Sequence, residues 1–247
     1  MKPAEFLKDH AIAYFALVAA LLGAALFGPI APSRDLLALW LAGEAVANGL
    51  PEQIYPPAAE LFIMQPPEGW YLHAAEMGWA GEVFPFIYPP IWAWVMAPVT
   101  ELFSFQGFSR FMFGVNTAAL IGLIGAAARL AFPASAGHRP RWLFWLPVAL
   151  LVYYFSRAGL VSLFQGQPQI VVAFLTVYAL ERVQAGHPLR GWVAMGLAIA
   201  LKLSPLPLLV LWLAVGERRA ALTALVFASA LGLLSLVLAG WPIHARF

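Results

Sequence analysis

A succession of apolar segments, cut apart by prolines and arginines, sets the terms on which this chain can fold. They run over residues 11–30, 86–103, 108–128, 142–156, 168–181, 191–215 and 220–240. A helix needs about 20 apolar residues to cross a bilayer, and in lipid it must satisfy its own backbone groups. The pattern therefore predicts an all-α polytopic membrane protein, a single transmembrane domain over 1–247 with about six or seven membrane segments. Composition agrees: 62% of the residues are hydrophobic and 11% charged, where a soluble domain carries about half and a quarter. With no cysteine, disulfides, thiolate metal sites and cysteine nucleophiles are excluded. The histidines show no metal-ligand spacing, and no basic and aromatic cluster points to nucleic acid.

Charge sets the expected topology. Lys2 and Lys8 precede the first apolar run, and basic residues beside a span tend to stay cytoplasmic. That run, 11–30, lacks a clean cleavage site and is read as a retained span. Residues 31–85 form a polar insert with Glu44, Glu52, Glu60, Glu68, Glu76 and Glu82 against the single Arg34. This balance fits the extracytoplasmic side. Within it, Ser33 and Asp35 mark a helix start and Asn48-Gly49 its end. The helix is expected to lie on the membrane surface, apolar stripe down. Segment 86–103, flanked by Pro89-Pro90 and containing Pro98, is expected only to dip into the bilayer. Segment 191–215 is expected to be a hairpin of half-helices broken at Ser204-Pro205. Arg129, Arg139, Arg141, Arg182, Arg190, Arg218 and Arg219 then share the cytoplasmic side, and 157–168 shares the outer side with Asp35.

Asp35 is one of two aspartates, the other being Asp9. It is either a general base for an acceptor hydroxyl or a charge that favours a helix N-terminus; the residues alone leave both open. Lys202 lies deep in GLAIALKLSPLPLLVL, where a buried cation costs about 2.5–3.5 kcal/mol. It should face an anion in a cavity, unless the hairpin tip is shallow. Gln167, in the break FQGQPQ, can donate to and accept from sugar hydroxyls, or belong to an ordinary turn. Arg157 is a phosphate contact or a topology charge. Tyr88, Trp92 and Trp94 suit an interfacial aromatic belt or a groove for a lipid tail, and His73 is a weaker site candidate.

The order of these pieces resembles glycosyltransferase family 87, polytopic GT-C-type enzymes that include polyprenyl-phosphate-mannose-dependent mannosyltransferases. The matching residues are Asp35-Leu36, Trp40, Ala42-Gly43, Ala45, Gly49 and Tyr55, then Phe86, Tyr88-Pro89-Pro90 and Pro98. Gly166-Gln167 follows, then Arg190-Gly191, Gly196-Leu197-Ala198, Lys202, Pro205 and Arg218-Arg219. The resemblance implies a GT-C-like helical bundle with a long first extracytoplasmic loop carrying surface helices. It implies an inverting transfer of a sugar, mannose first, from a polyprenyl-phosphate donor to a lipid or glycan acceptor. Asp35 would be the catalytic base. Lys202, with Arg157 and Arg34, would hold the donor phosphate, and Gln167, Tyr88, Trp40 and Glu44 would contact sugar or lipid. No cofactor is implied, and no metal is indicated. The implied location is the cell membrane of a bacterial-type envelope, active site outward. Family members are usually longer, so the chain is expected to correspond to the N-terminal part of such an enzyme. Pro168 and Gln169 depart from the neighbouring asparagine expected after Gly166-Gln167. A transporter of an amphipathic lipid-linked substrate and a non-catalytic membrane subunit remain the competing readings.

Overall fold

The computed structural model describes residues 33–56, 65–132 and 142–247. The expected first span at 11–30, its flanking lysines, Glu60, Arg139 and Arg141 lie outside them. The described residues form helices and no strand. Among the described residues two helices are long and apolar enough to cross a membrane, Phe105–Ala131 and Arg218–Ala239.

Helix α1 (Arg34–Ala47) begins and ends where the sequence signals it. The Ser33 side chain accepts the Leu36 N–H at 3.2 Å, and Asp35 sits in the first turn. Asn48 caps the far end, and Gly49 takes φ +72°, a left-handed turn that glycine adopts without cost. The expected single apolar stripe is corrected. Leu36 through Gly43 and Ala45 are all buried, because LLALWLAG is apolar around the whole helix rather than along one stripe. Its largest partner is α3 (Ile91–Leu102). The two approach so closely that a Cβ on Gly43 would stand 2.7 Å from the Met96 Cβ. A short 3-10 turn (Pro51–Gln53) and α2 (Glu68–Glu76) complete the described insert.

Helix α3 has 12 residues, with Pro98 inside it. At about 1.5 Å per residue it cannot span a bilayer, as the proline pattern predicts. Helix α4 (Phe105–Ala131) is a long apolar rod. The next segments are α5 (Trp142–Phe155), α6 (Arg157–Phe164), α7 (Gln169–Gln184) and α8 (Pro188–Leu201). Helices α4 and α7 run parallel: Asn116 meets Gln167, Gly122 meets the Phe174 ring, and Arg129 meets Glu181. The chain breaks at 202–206, then forms α9 (Pro207–Ala214), α10 (Arg218–Ala239) and the short α11 (Trp241–His244). Leu209 and Trp212 of α9 join Ala220, Ala221 and Ala224 of α10 and Ala194 and Met195 of α8 in one core. Gly196 of α8 meets the Ala224 carbonyl and the Phe227 ring. So α8 and α10 run the same way and α9 returns between them, the half-helix arrangement expected around Ser204-Pro205.

This weave leaves arginines at both ends, with Arg34, Arg110, Arg157 and Arg246 toward the start of α4 and the 156–168 stretch. Arg129, Arg182, Arg190, Arg218 and Arg219 gather at one end of the bundle. Glu181, almost fully buried, accepts from Arg129 at 3.1 Å and from Arg182. The other end receives the start of α1, the 165–168 connection and the break after α8. Asn116 stands about 20 Å up α4 from Arg129, and Lys202 about 18 Å from Arg190.

Candidate functional site

At the end opposite the Glu181 cluster, Ser33 ties α1 to the rest of the bundle. Its hydroxyl donates to the Gln165 carbonyl while its oxygen caps Leu36. The tie brings the first turn of α1, with Asp35, onto the connection between α6 and α7. Gly166, at φ +66°, turns that connection, and a Cβ there would lie 3.4 Å from a Leu36 methyl. The Gln167 carbonyl accepts the Asn116 amide N–H at 3.0 Å. Gln167 therefore contributes its backbone to this joint, and its side chain is half-buried.

Asp35 is half-buried and has no salt-bridge partner among the described residues. Tyr88 is its electrostatic neighbour. Burial holds the Tyr88 phenol protonated well above its ordinary range, and the negative charge of Asp35 adds to that. The segment carrying Tyr88 is pinned from two sides. The Tyr55 hydroxyl donates to the Tyr88 carbonyl, and the rings of Tyr55, Phe86, Tyr88 and Trp92 follow one another at centroid distances of 5.5, 5.7 and 6.3 Å. The Trp92 indole N–H then donates to the Leu201 carbonyl at 2.8 Å. This bond satisfies one of the free carbonyls at the end of α8. It also fixes the break that begins at Lys202.

Lys202 is half-buried in extended backbone, φ −157° and ψ 131°, and has no ion-pair partner among the described residues. A cleft of about 320 Å³ opens beside it, between Pro89 and Pro90 on one side, Ile199 and Leu203 on another, and Gly232 of α10. The cleft begins one residue from Tyr88 and one from Lys202, and its lining is mostly apolar. Its polar side chains include Ser235 and His244, which bond each other at 3.1 Å.

The other residues singled out from the sequence sit elsewhere. Arg34, beside Asp35 in the chain, pairs with Glu82 and lies 4.6 Å over the Phe84 ring. Arg157 is exposed at the start of α6. Trp40 is buried between Phe105 and Phe108 at centroid distances of 5.7 and 5.5 Å, its indole N–H without a partner among the described residues. Glu44 stands about two and a half turns from Asp35, on the opposite face of α1, and meets His73 of α2 at 2.8 Å. The structure thus gathers Asp35, Tyr88, the Gln167 connection and the Lys202 break at one end. Trp40 belongs to the core, and Glu44 to the joint between α1 and α2. Among the described residues no group of three or more His, Cys, Asp or Glu is placed to hold a metal ion.

Sequence reasoning missed Ser33 as a tie to Gln165, and it missed Asn116. The signal for Asn116 was present: a lone amide in the apolar run FMFGVNTAALIGLIG, where polar side chains are costly and face protein. The Ser33 contact reaches across the chain and leaves no local signature. The model of glycosyltransferase family 87 matches residues 86–247, which takes in Tyr88, Gln167 and Lys202 and begins downstream of Asp35. No curated protein and no solved structure matches the chain.

Proposed function

Because the chain belongs to glycosyltransferase family 87, we propose that it transfers a hexosyl residue, mannose first among them, from a polyprenyl-phosphate donor to an acceptor hydroxyl, with inversion. The observation that carries this reading is the half-buried carboxylate of Asp35 at the same end of the bundle as Lys202, neither of them in an ion pair among the described residues. In this reading Asp35 takes the proton of the acceptor hydroxyl as its oxygen bonds to the anomeric carbon. The bond from that carbon to the phosphate oxygen breaks on the opposite face. The lipid phosphate leaves with the electron pair, and the Lys202 ammonium stabilises its charge. The mostly apolar cleft beside Lys202 supports a lipid carrier over a soluble nucleotide sugar. Tyr88, its phenol held neutral, donates a hydrogen bond to a sugar oxygen, and the Gln167 side chain adds a second polar contact. Arg157 is available to the phosphate only by reaching across the surface, and Arg34 only by leaving Glu82.

In this reading the end that carries Arg129, Arg182, Arg190, Arg218 and Arg219 is the cytoplasmic one. Asp35 then works on the extracytoplasmic side of a multi-pass, GT-C-like membrane bundle.

Transfer from labelled polyprenyl-phosphate mannose to a mixed lipid-acceptor pool in reconstituted vesicles tests the reading. Wild type should transfer from this donor and not from a nucleotide sugar. Lys202→Gln should raise the donor KM and lower turnover. Equal use of the nucleotide sugar would overturn the donor assignment. Donor binding and release across the membrane without transfer would favour the transporter reading.

A further inference from the structure

Resting on that reading, we infer that Asn116 is the positioning residue that holds the catalytic carboxylate of Asp35 in place, acting through the 165–168 connection. Asn116 is fully buried in the middle of α4. Its amide nitrogen donates to the Gln167 carbonyl at 3.0 Å. A carbonyl only accepts, so the nitrogen must face it, and the side-chain oxygen points the other way, buried with no partner among the described residues. A buried amide with only part of its bonding satisfied is a poor core residue, since an apolar side chain of the same shape leaves nothing unpaired. Its place is explained by what it holds.

The hold passes from Asn116 to Asp35 through a short series of contacts. Gln167 is joined through Gly166, whose left-handed backbone seats the turn against the Leu36 side chain. Gln165, on the other side of that glycine, accepts the Ser33 hydroxyl. The same Ser33 oxygen accepts the Leu36 N–H and so fixes the first turn of α1. Asp35 lies between Ser33 and Leu36 in that turn. The long apolar helix α4 is thus the anchor, and Asn116 is where the anchor grips. Asn116 touches neither Asp35 nor the reacting atoms, and it holds Gln167 only by its backbone carbonyl, so its effect appears chiefly in turnover, with a smaller change in donor affinity.

Two measurements test this on the full chain in detergent and in vesicles. The first is amide hydrogen exchange in wild type, Asn116→Leu and Ser33→Ala. Asn116→Leu should speed exchange of the Leu36 and Leu37 amides about tenfold or more, with α10 amides unchanged as the internal reference. Acceleration confined to 165–168, or none, would overturn the inference. The second is transfer from polyprenyl-phosphate mannose. Asn116→Leu should lower kcat about tenfold or more and hold the donor KM within about threefold. Adding Asn116→Leu to Ser33→Ala should cost no more than about twofold beyond Ser33→Ala alone, because both act on one linkage. A folded Asn116→Leu protein with wild-type kcat, or fully multiplicative losses, would also overturn it. If wild type does not transfer from this donor, the functional reading fails, and the exchange comparison still decides whether Asn116 orders the turn that carries Asp35.

Discussion

Adding one methyl group at Gly43 tests how tightly the position of Asp35 depends on the packing of α1. In Gly43→Ala the new Cβ would stand 2.7 Å from the Met96 Cβ, 3.0 Å from the Met96 backbone carbon and 3.1 Å from a Thr100 methyl. Two of these atoms are fixed to the α3 backbone, so no flexible side chain can swing away. The helices must part by about 0.7 Å before ordinary contact is restored. Overpacking of this kind costs about 1–3 kcal/mol. Alanine recovers about 1 kcal/mol over glycine as a helix former. The net loss is about 1 kcal/mol, a fall in melting temperature of about 2–4 °C. Activity should suffer more than stability. Gly43 is eight residues from Asp35, two turns along the same helix, so a shift of α1 moves the carboxylate with it. A misplacement of about 1 Å can cost about a hundredfold in rate, and Gly43→Ala should lose at least tenfold in kcat. Thermal unfolding in detergent and initial rates in vesicles read the two effects separately. A variant with wild-type melting and wild-type kcat would refute the close approach and the rigid coupling together.

The ionic knot at the other end should matter to folding alone. Glu181→Gln leaves two arginines without their buried carboxylate; because both arginines reach solvent in part, the loss should be about 2 kcal/mol, below the full cost of breaking a buried pair, read by thermal unfolding, with donor KM unchanged. Tyr55→Phe removes the hydroxyl that serves the buried Tyr88 carbonyl and should cost about 1–3 kcal/mol; melting equal to wild type would show the bond to be dispensable. Tyr88 gives a pH test of its closeness to Asp35. Its folded pKa is raised, first by burial and then by the Asp35 charge, so the neutral phenol stabilises the fold at neutral pH, and that contribution is lost as pH rises above about 10. Phenolate absorbance, taken as the difference from Tyr88→Phe, should appear at lower pH in Asp35→Asn than in the parent; an unchanged midpoint would separate the two groups.

Much of this arrangement is legible in the sequence, and the illegible part has physical causes. Both ends of α1 follow from Ser33 and Asn48-Gly49, whose capping chemistry is local. The short α3 and the break at 202–206 follow from prolines, which act within a few residues. The membrane class follows from the run lengths. The expected one-sided face of α1 fails because the helical spacing of Leu36, Leu39, Trp40, Gly43 and Ala47 reads as a stripe, although Leu37, Ala38 and Leu41 fill the other faces. Trp40 and Glu44 are chemically apt for sugar, yet one is enclosed by Phe105 and Phe108 and the other faces His73. Those partners lie tens of residues away, and no local pattern announces them. Asn116 is different: a lone amide in an apolar run, it is a readable signal of a buried partner.

Asp35 as the base is tested most directly by sugar transfer with wild type and Asp35→Asn, side by side in vesicles with polyprenyl-phosphate mannose. The substitution removes the base and keeps the shape of the side chain. Asp35→Asn should keep its melting temperature and donor binding and lose turnover by at least a hundredfold, the scale of a general base. A folded Asp35→Asn protein that transfers sugar at the wild-type rate would contradict a catalytic role for this carboxylate.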